Sequence, residues 1–87
     1  MSAYYNEIDP YKAAWLANLI KAGVIPDGEI DTRSIVDVDA RDLRGFAQCH
    51  WFAGVGVWAF VLRRAGWPDQ RPAWTASCPC PPFSAAG

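Results

Sequence analysis

The chain has 87 residues, a formal net charge of -1 and a hydrophobic content of 52%. This length suffices for one small domain, which buries only roughly 60% of the surface that its unfolded chain exposes. The charge argues against a protein that binds nucleic acid by itself, because neutralising several phosphates needs a clustered excess of Lys and Arg. Five Trp, three Tyr and four Phe in so short a chain predict exposed apolar surface that meets a partner, either another protein chain or a second copy.

The N-terminus has no basic region leading into an apolar core, and no apolar run approaches the roughly 18 residues that span a bilayer. We therefore predict a cytosolic protein without a membrane partner. Three cysteines, Cys49, Cys78 and Cys80, form an odd set, so reduced thiols are expected. With His50 they would make a zinc site, but a Cys-x-Cys pair is tighter than the usual knuckle, so we predict no metal and rank this alternative last.

The first predicted element is a helix that begins at Asp9 and Pro10, a capping residue followed by a residue suited to the first helical position. Apolar residues recur at helical spacing as far as Gly23, which is placed to end the helix in a left-handed conformation. The next residues favour neither strand nor helix, and 39–44 predict a short helical turn closed by Gly45. We interpret residues 1–45 as a helical N-terminal extension.

The second half of the chain predicts a strand over 46–52, a glycine turn, a short buried helix from Val57 that ends in Arg63 and Arg64, and a strand over 73–77. Strand, turn, helix and strand make one βαβ-like unit, which is normally parallel and right-handed. The predicted fold class is α/β: a small single domain over 1–87 with an N-terminal helix and one βαβ-like unit over 46–87.

The turn Phe52-Ala53-Gly54-Val55-Gly56 follows a strand and opens a helix. Two glycines there let the backbone approach a cofactor closely, so that helix amides meet a ribose, a carboxylate or a phosphate. They are equally explained by a positive φ or by tight packing. Both interpretations stay open.

Cys80 lies between Pro79 and Pro81, which restrict the backbone and present the thiol from a stiff loop. A nucleophile gains from such restriction, because a preorganised group loses little entropy when it attacks. The alternative is an incidental thiol in a proline-rich C-terminal segment.

These motifs resemble those of the cytosine-5 DNA methyltransferase family, in particular its short phage-type members. Phe52, Gly54 and Gly56 match the family's Phe-x-Gly-x-Gly loop, which binds S-adenosylmethionine. The segment from Pro79 matches the Pro-Cys-Gln-Pro-Phe-Ser loop, which supplies the thiolate that attacks cytosine. The segment from Tyr5 to Leu16 is similar to the N-terminal extension of phage-type members.

The resemblance implies a partial Rossmann-like methyltransferase fold with S-adenosylmethionine as cofactor. It implies roles for three sets of residues: cofactor binding by Phe52, Ala53, Gly54, Val55 and Gly56, nucleophilic catalysis by Cys80, and loop support by Pro79, Pro82, Phe83 and Ser84.

Four departures from the family pattern predict that the chain does not methylate DNA alone. Pro81 stands where the family has Gln, and Val57 stands where a further Gly is usual. The interval from Phe52 to Cys80 is too short for the additional strands and the acidic ribose-binding residue, and the sequence stops at Gly87, before a target-recognition domain. We expect a piece of a methyltransferase that contacts DNA only when a second component completes it.

The second hypothesis is a catalytically dead, phage-encoded protein-binding module in the host cytoplasm. An example is an inhibitor of a host defence complex, of the anti-CRISPR or anti-restriction kind. Its motivation is the aromatic content, because exposed Trp and Tyr anchor protein interfaces.

Overall fold

A computed structural model describes residues 2–77 of the chain. Four strands form one parallel sheet in the order β2-β1-β3-β4. The strands are β1 (Ala3–Asn6), β2 (Gly28–Asp31), β3 (Gln48–Trp51) and β4 (Ala73–Ala76). The helices are α1 (Pro10–Ala22) and α2 (Val57–Arg64), and two 3-10 turns cover Ile35–Asp37 and Ala40–Leu43. The predicted α/β class is confirmed.

The first helix has the predicted caps. The Asp9 carboxylate accepts the Tyr11 amide at 2.9 Å, and Pro10 occupies the first turn. At the other end Gly23 has φ +76° and donates its amide to Ile20. Local chemistry at both ends therefore sets the length of α1.

The strand, helix and strand predicted for the second half are also present. The prediction that the helix is buried is wrong: only Ala59 of α2 is buried, and its large apolar residues Val57, Trp58, Phe60 and Val61 are 44% to 59% exposed, because the helix packs on the sheet through one narrow face. Arg63, in the last turn of α2, pairs with Asp69 at 2.7 Å and donates to the carbonyl oxygen of Gly23 at the end of α1. This arginine links the ends of the two helices.

Residues 1–45 differ from the expected helical extension, because they also supply β1 and β2, half of the sheet. Each strand has only four residues and, unlike β3, does not lie in a longer apolar run that would reveal it. Gly28 permits β2 to pair with β1, because a Cβ at this position would lie 2.0 Å from the carbonyl oxygen of Ala3.

Both helices pack on one face of the sheet. Ala3 and Tyr5 point to that face and share a buried cluster with Leu16 of α1 and Ala59 of α2. The connection from β1 to β2 and the connection from β3 to β4 run in opposite directions along the sheet. Two same-face connections in opposite directions have opposite hands, so one of the two βαβ units departs from the usual right-handed rule.

The 3-10 turns cover part of the opposite face, where Trp74 of β4 stays 65% exposed, and polar contacts hold the covered part. The Tyr4 hydroxyl donates to Asp31 at 2.5 Å, and Arg33 pairs with Asp31 at 2.6 Å and with Asp42 at 3.0 Å. Hydrogen bonding to Arg33 holds the pKa of Asp31 well below its usual range. Arg33 thereby links the start of the first 3-10 turn both to β2 and to the second 3-10 turn.

The strand order has a precedent in nucleotide-binding folds. In chain order the sheet reads 2-1-3-4, one of the two strand orders common in nucleotide-binding α/β sheets, and the order reverses between β1 and β3. The molecule is thus a partial Rossmann-like domain.

No helix among residues 2–77 has the length and apolar character needed to cross a membrane.

Candidate functional site

The carboxyl ends of β1, β3 and β4 meet around one cavity of about 350 Å³, called here the carboxyl-edge cavity. Open α/β sheets bind their ligands at this edge, because loops from adjacent strands diverge there. Its lining residues are Glu7, Ile8, Asp9, Lys12, Phe52, Gly54 and Ser77. The cavity therefore combines charged side chains from the β1–α1 connection with the start of the glycine turn.

Glu7 is the central residue of this cavity, and the sequence interpretation missed it. One carboxylate oxygen accepts the Gly54 amide at 2.7 Å and the other accepts the Asp9 amide at 2.9 Å. The residue is 7% exposed. Its carboxylate thus joins the glycine turn to the start of α1. The available signal was an acidic residue two positions after the pair Tyr4-Tyr5 and two positions before the helix cap Asp9.

The first half of the glycine turn faces this cavity. Phe52 has φ +52°, a left-handed conformation that is strained for a non-glycine residue, and Gly54 has φ +59°. Between them Ala53 donates its amide to the carbonyl oxygen of Asn6 at 2.8 Å and packs against the core. The turn is therefore fastened to β1 by Ala53 and by Gly54.

The second half of the turn faces away, towards a groove of about 240 Å³ between α1 and α2. This interhelical groove is lined by Trp15, Leu19, Val24, Ile25, Val55, Gly56, Val57 and Phe60. A Cβ on Gly56 would lie 3.1 Å from Leu16 Cδ2, and its φ is +78°. Of the five predicted cofactor residues, Phe52 and Gly54 line the carboxyl-edge cavity, whereas Val55 and Gly56 line the groove.

Val57, which stands where the resembled family has glycine, also lines the groove and is 59% exposed. Its branched side chain is not part of the carboxyl-edge cavity lining. This departure from the family pattern does not narrow that cavity.

His50 is a structural residue in the sheet. Its Nδ1 lies 2.6 Å from the Thr75 hydroxyl, its Nε2 lies 2.9 Å from Gln48 Oε1, and its ring stacks on Tyr5. Burial lowers the pKa of His50 to about 4. Cys49, the preceding residue in β3, faces the other side of the sheet. His50 and Cys49 therefore cannot bind one zinc ion together, and residues 2–77 contain no cluster of metal-ligating side chains.

The predicted thiolate loop lies outside the described residues. This applies to the nucleophile Cys80 and to the predicted support residues Pro79, Pro82, Phe83 and Ser84. The described part of the chain ends at Ser77, which donates its amide to the carbonyl oxygen of Trp51 at 3.1 Å and lines the carboxyl-edge cavity. Cys80 follows three residues later in the sequence.

Comparisons of the chain with models of protein families, with characterised proteins and with solved structures gave no match. The methyltransferase resemblance therefore stays a prediction from sequence motifs.

Proposed function

We propose that this chain is the S-adenosylmethionine-binding part of a cytosine-5 DNA methyltransferase, and that it is inactive by itself. The carboxyl-edge cavity is the proposed cofactor site. The observation that carries the proposal is the contact between Glu7 and Gly54, because it brings an acidic residue from the adjacent strand to a glycine turn. Nucleotide-binding sheets use this combination: the turn admits the ligand and the acidic side chain accepts ribose hydroxyls.

The residues of the cavity fit this ligand. Each carboxylate oxygen of Glu7 accepts one backbone amide and keeps a second lone pair for a ribose hydroxyl. Phe52 offers an aromatic ring at the cavity wall. Glu7 and Asp9 outweigh Lys12 in charge, which suits a ligand with a net positive charge from its sulfonium and ammonium groups. A volume of about 350 Å³ lies within the range of small-molecule sites.

The chain's own residues have separate tasks in this account. Glu7 and Phe52 orient the nucleoside, and Gly54 leaves space where a side chain would stand. By its match to the family's thiolate loop, Cys80 is the nucleophile that attacks C6 of cytosine. The bound cofactor supplies the methyl group. DNA is held by a second component, because a chain with net charge -1 lacks the cationic surface for that task.

Isothermal titration calorimetry of the chain with S-adenosylmethionine tests the proposed site. We expect saturable binding by the wild type and by Cys80→Ser, since Cys80 acts on the base and not on the cofactor. We expect no detectable binding by Glu7→Gln, while Glu29→Gln, an exposed acidic residue on β2, serves as the matched control. Absence of binding by the folded wild type would refute the proposal.

A second candidate function is a protein-binding module, and the interhelical groove is the observation that favours it. Trp15 of α1 and Phe60 of α2 line this groove and are 49% and 44% exposed. Trp58, also on α2, is 47% exposed. Aromatic side chains exposed together are characteristic of interface anchors. Under this hypothesis Phe60→Ser abolishes partner binding and Cys80→Ser leaves it unchanged. Under the methyltransferase proposal, Cys80→Ser instead abolishes methylation in a reconstituted mixture.

A further inference from the structure

Lys12 is the cationic residue in the lining of the carboxyl-edge cavity. None of the three charged residues of the lining forms an ion pair among residues 2–77. Glu7 accepts the amides of Gly54 and Asp9, and Asp9 accepts the amide of Tyr11. Lys12 is therefore the lining residue whose charge can pair with an anionic group of a bound ligand.

We propose that Lys12 is the counter-ion for the carboxylate of S-adenosylmethionine and raises the affinity of the cavity for ligands that carry this group. The inference rests on the proposed function and adds a specificity-determining residue to it. Lys12 lies in the first turn of α1, so the helix holds its backbone at the cavity while its side chain extends along the lining.

The charge distribution of the lining supports an orienting role. Glu7 and Asp9 repel a ligand carboxylate wherever it approaches them, and Lys12 attracts it. A zwitterionic ligand therefore has one favourable orientation, with its carboxylate at Lys12 and its hydroxyls at Glu7. Without the lysine this orientation loses its attractive contact and keeps the repulsive ones.

The test compares S-adenosylmethionine with decarboxylated S-adenosylmethionine, which differ by the carboxylate alone. Calorimetric titrations use the full chain as wild type, Lys12→Met, Lys12→Arg and the control Lys21→Met, in the last turn of the same helix. We expect Lys12→Met to shift the ratio of the two affinities about fivefold towards the decarboxylated ligand, a modest factor because solvent screens an exposed lysine. The wild type and Lys21→Met should share one ratio, and Lys12→Arg should restore it.

Each outcome separates the inference from the proposed function. The same ratio of the two affinities in Lys12→Met as in the wild type overturns the role of Lys12 and leaves the cofactor site intact. Binding of neither ligand to the wild type overturns the proposed function and the inference together. Circular dichroism verifies that each variant is folded, which is expected since Lys12 is exposed.

Discussion

The two halves of the glycine turn differ in what they contact. Phe52 and Gly54 line a charged cavity whose central carboxylate binds the backbone of the turn, whereas Gly56 is packed against Leu16 and Ile25 in an apolar groove. The two explanations for a glycine turn, ligand approach and tight packing, therefore apply to different residues of one motif. We therefore expect substitutions in the second half of the turn to lower stability and substitutions in the first half to weaken ligand binding.

The largest effect is expected from Gly56→Ala. The substitution combines a left-handed backbone, φ +78°, with a methyl group only 3.1 Å from Leu16 Cδ2. We expect the free energy of unfolding to fall by about 3 kcal/mol. Gly66→Ala is the control, because Gly66 has φ +86° with nothing within 4 Å of a Cβ, and it should lose only about 1 kcal/mol. Urea unfolding measures both, and equal losses would show that packing at Gly56 is unimportant.

Lowering the pH tests the buried, neutral state of His50, which lies on the helix side of the sheet. Its folded pKa is lowered to about 4 from 6.5, so below pH 6.5 the unfolded chain binds a proton that the folded chain resists. Stability should therefore fall as pH falls through this window, by about 2 kcal/mol between pH 7 and pH 4.5. Urea unfolding at several pH values measures the slope.

His50→Gln removes the titrating group and is the control for that slope. The variant should be less dependent on pH than the wild type over the same window, whatever its absolute stability. An unchanged slope would assign the acid sensitivity to other groups and would contradict the buried, neutral state of His50.

Glu7→Gln tests the contact by which the Glu7 carboxylate joins the glycine turn to the start of α1. The amide side chain keeps one acceptor oxygen, so either Gly54 or Asp9 loses its hydrogen bond in a largely buried site. We expect a loss of about 1.5 kcal/mol in the free energy of unfolding, together with the loss of cofactor binding. Glu29→Gln should change neither. Retention of full stability by Glu7→Gln would show that the carboxylate does not hold the turn.

Gly54→Ala should have the smallest effect on stability and a clear effect on binding. A Cβ there meets only the Phe52 carbonyl oxygen at 3.9 Å, so the cost is about 1 kcal/mol for φ +59° alone. The added methyl group lies at the wall of the carboxyl-edge cavity, where we expect it to weaken binding of S-adenosylmethionine at least tenfold. Calorimetry and urea unfolding measured together test whether binding and stability separate at this residue.

The parts of the fold that were predictable have local causes. Helix α1 follows from the Asp9 cap and the Gly23 terminus, and strand β3 with helix α2 follows from apolar runs divided by glycines. Strands β1 and β2 have no such local signal. They pair through contacts such as Ala3 with Gly28 and with Gln48, which four-residue segments do not reveal.

The site was only partly predictable for the same reason. Phe52 and Gly54 belong to a recognisable motif, but Glu7 reaches Gly54 across 47 residues because β1 lies beside β3. A search for an acidic residue downstream of the turn misses Glu7, because the adjacent strand β1 precedes the turn in the chain. Spatial adjacency of strands, rather than sequence order, brings the acidic residue to the turn.

The most direct test of the account is an amide chemical-shift titration of isotope-labelled chain with S-adenosylmethionine. The account predicts saturable shifts for the amides of Asp9, Lys12 and Gly54 around the carboxyl-edge cavity. It predicts little change at Val57 and Phe60 in the interhelical groove. Shifts confined to the groove, or no shifts at saturating ligand, would contradict the claim that the first half of the glycine turn is a binding site.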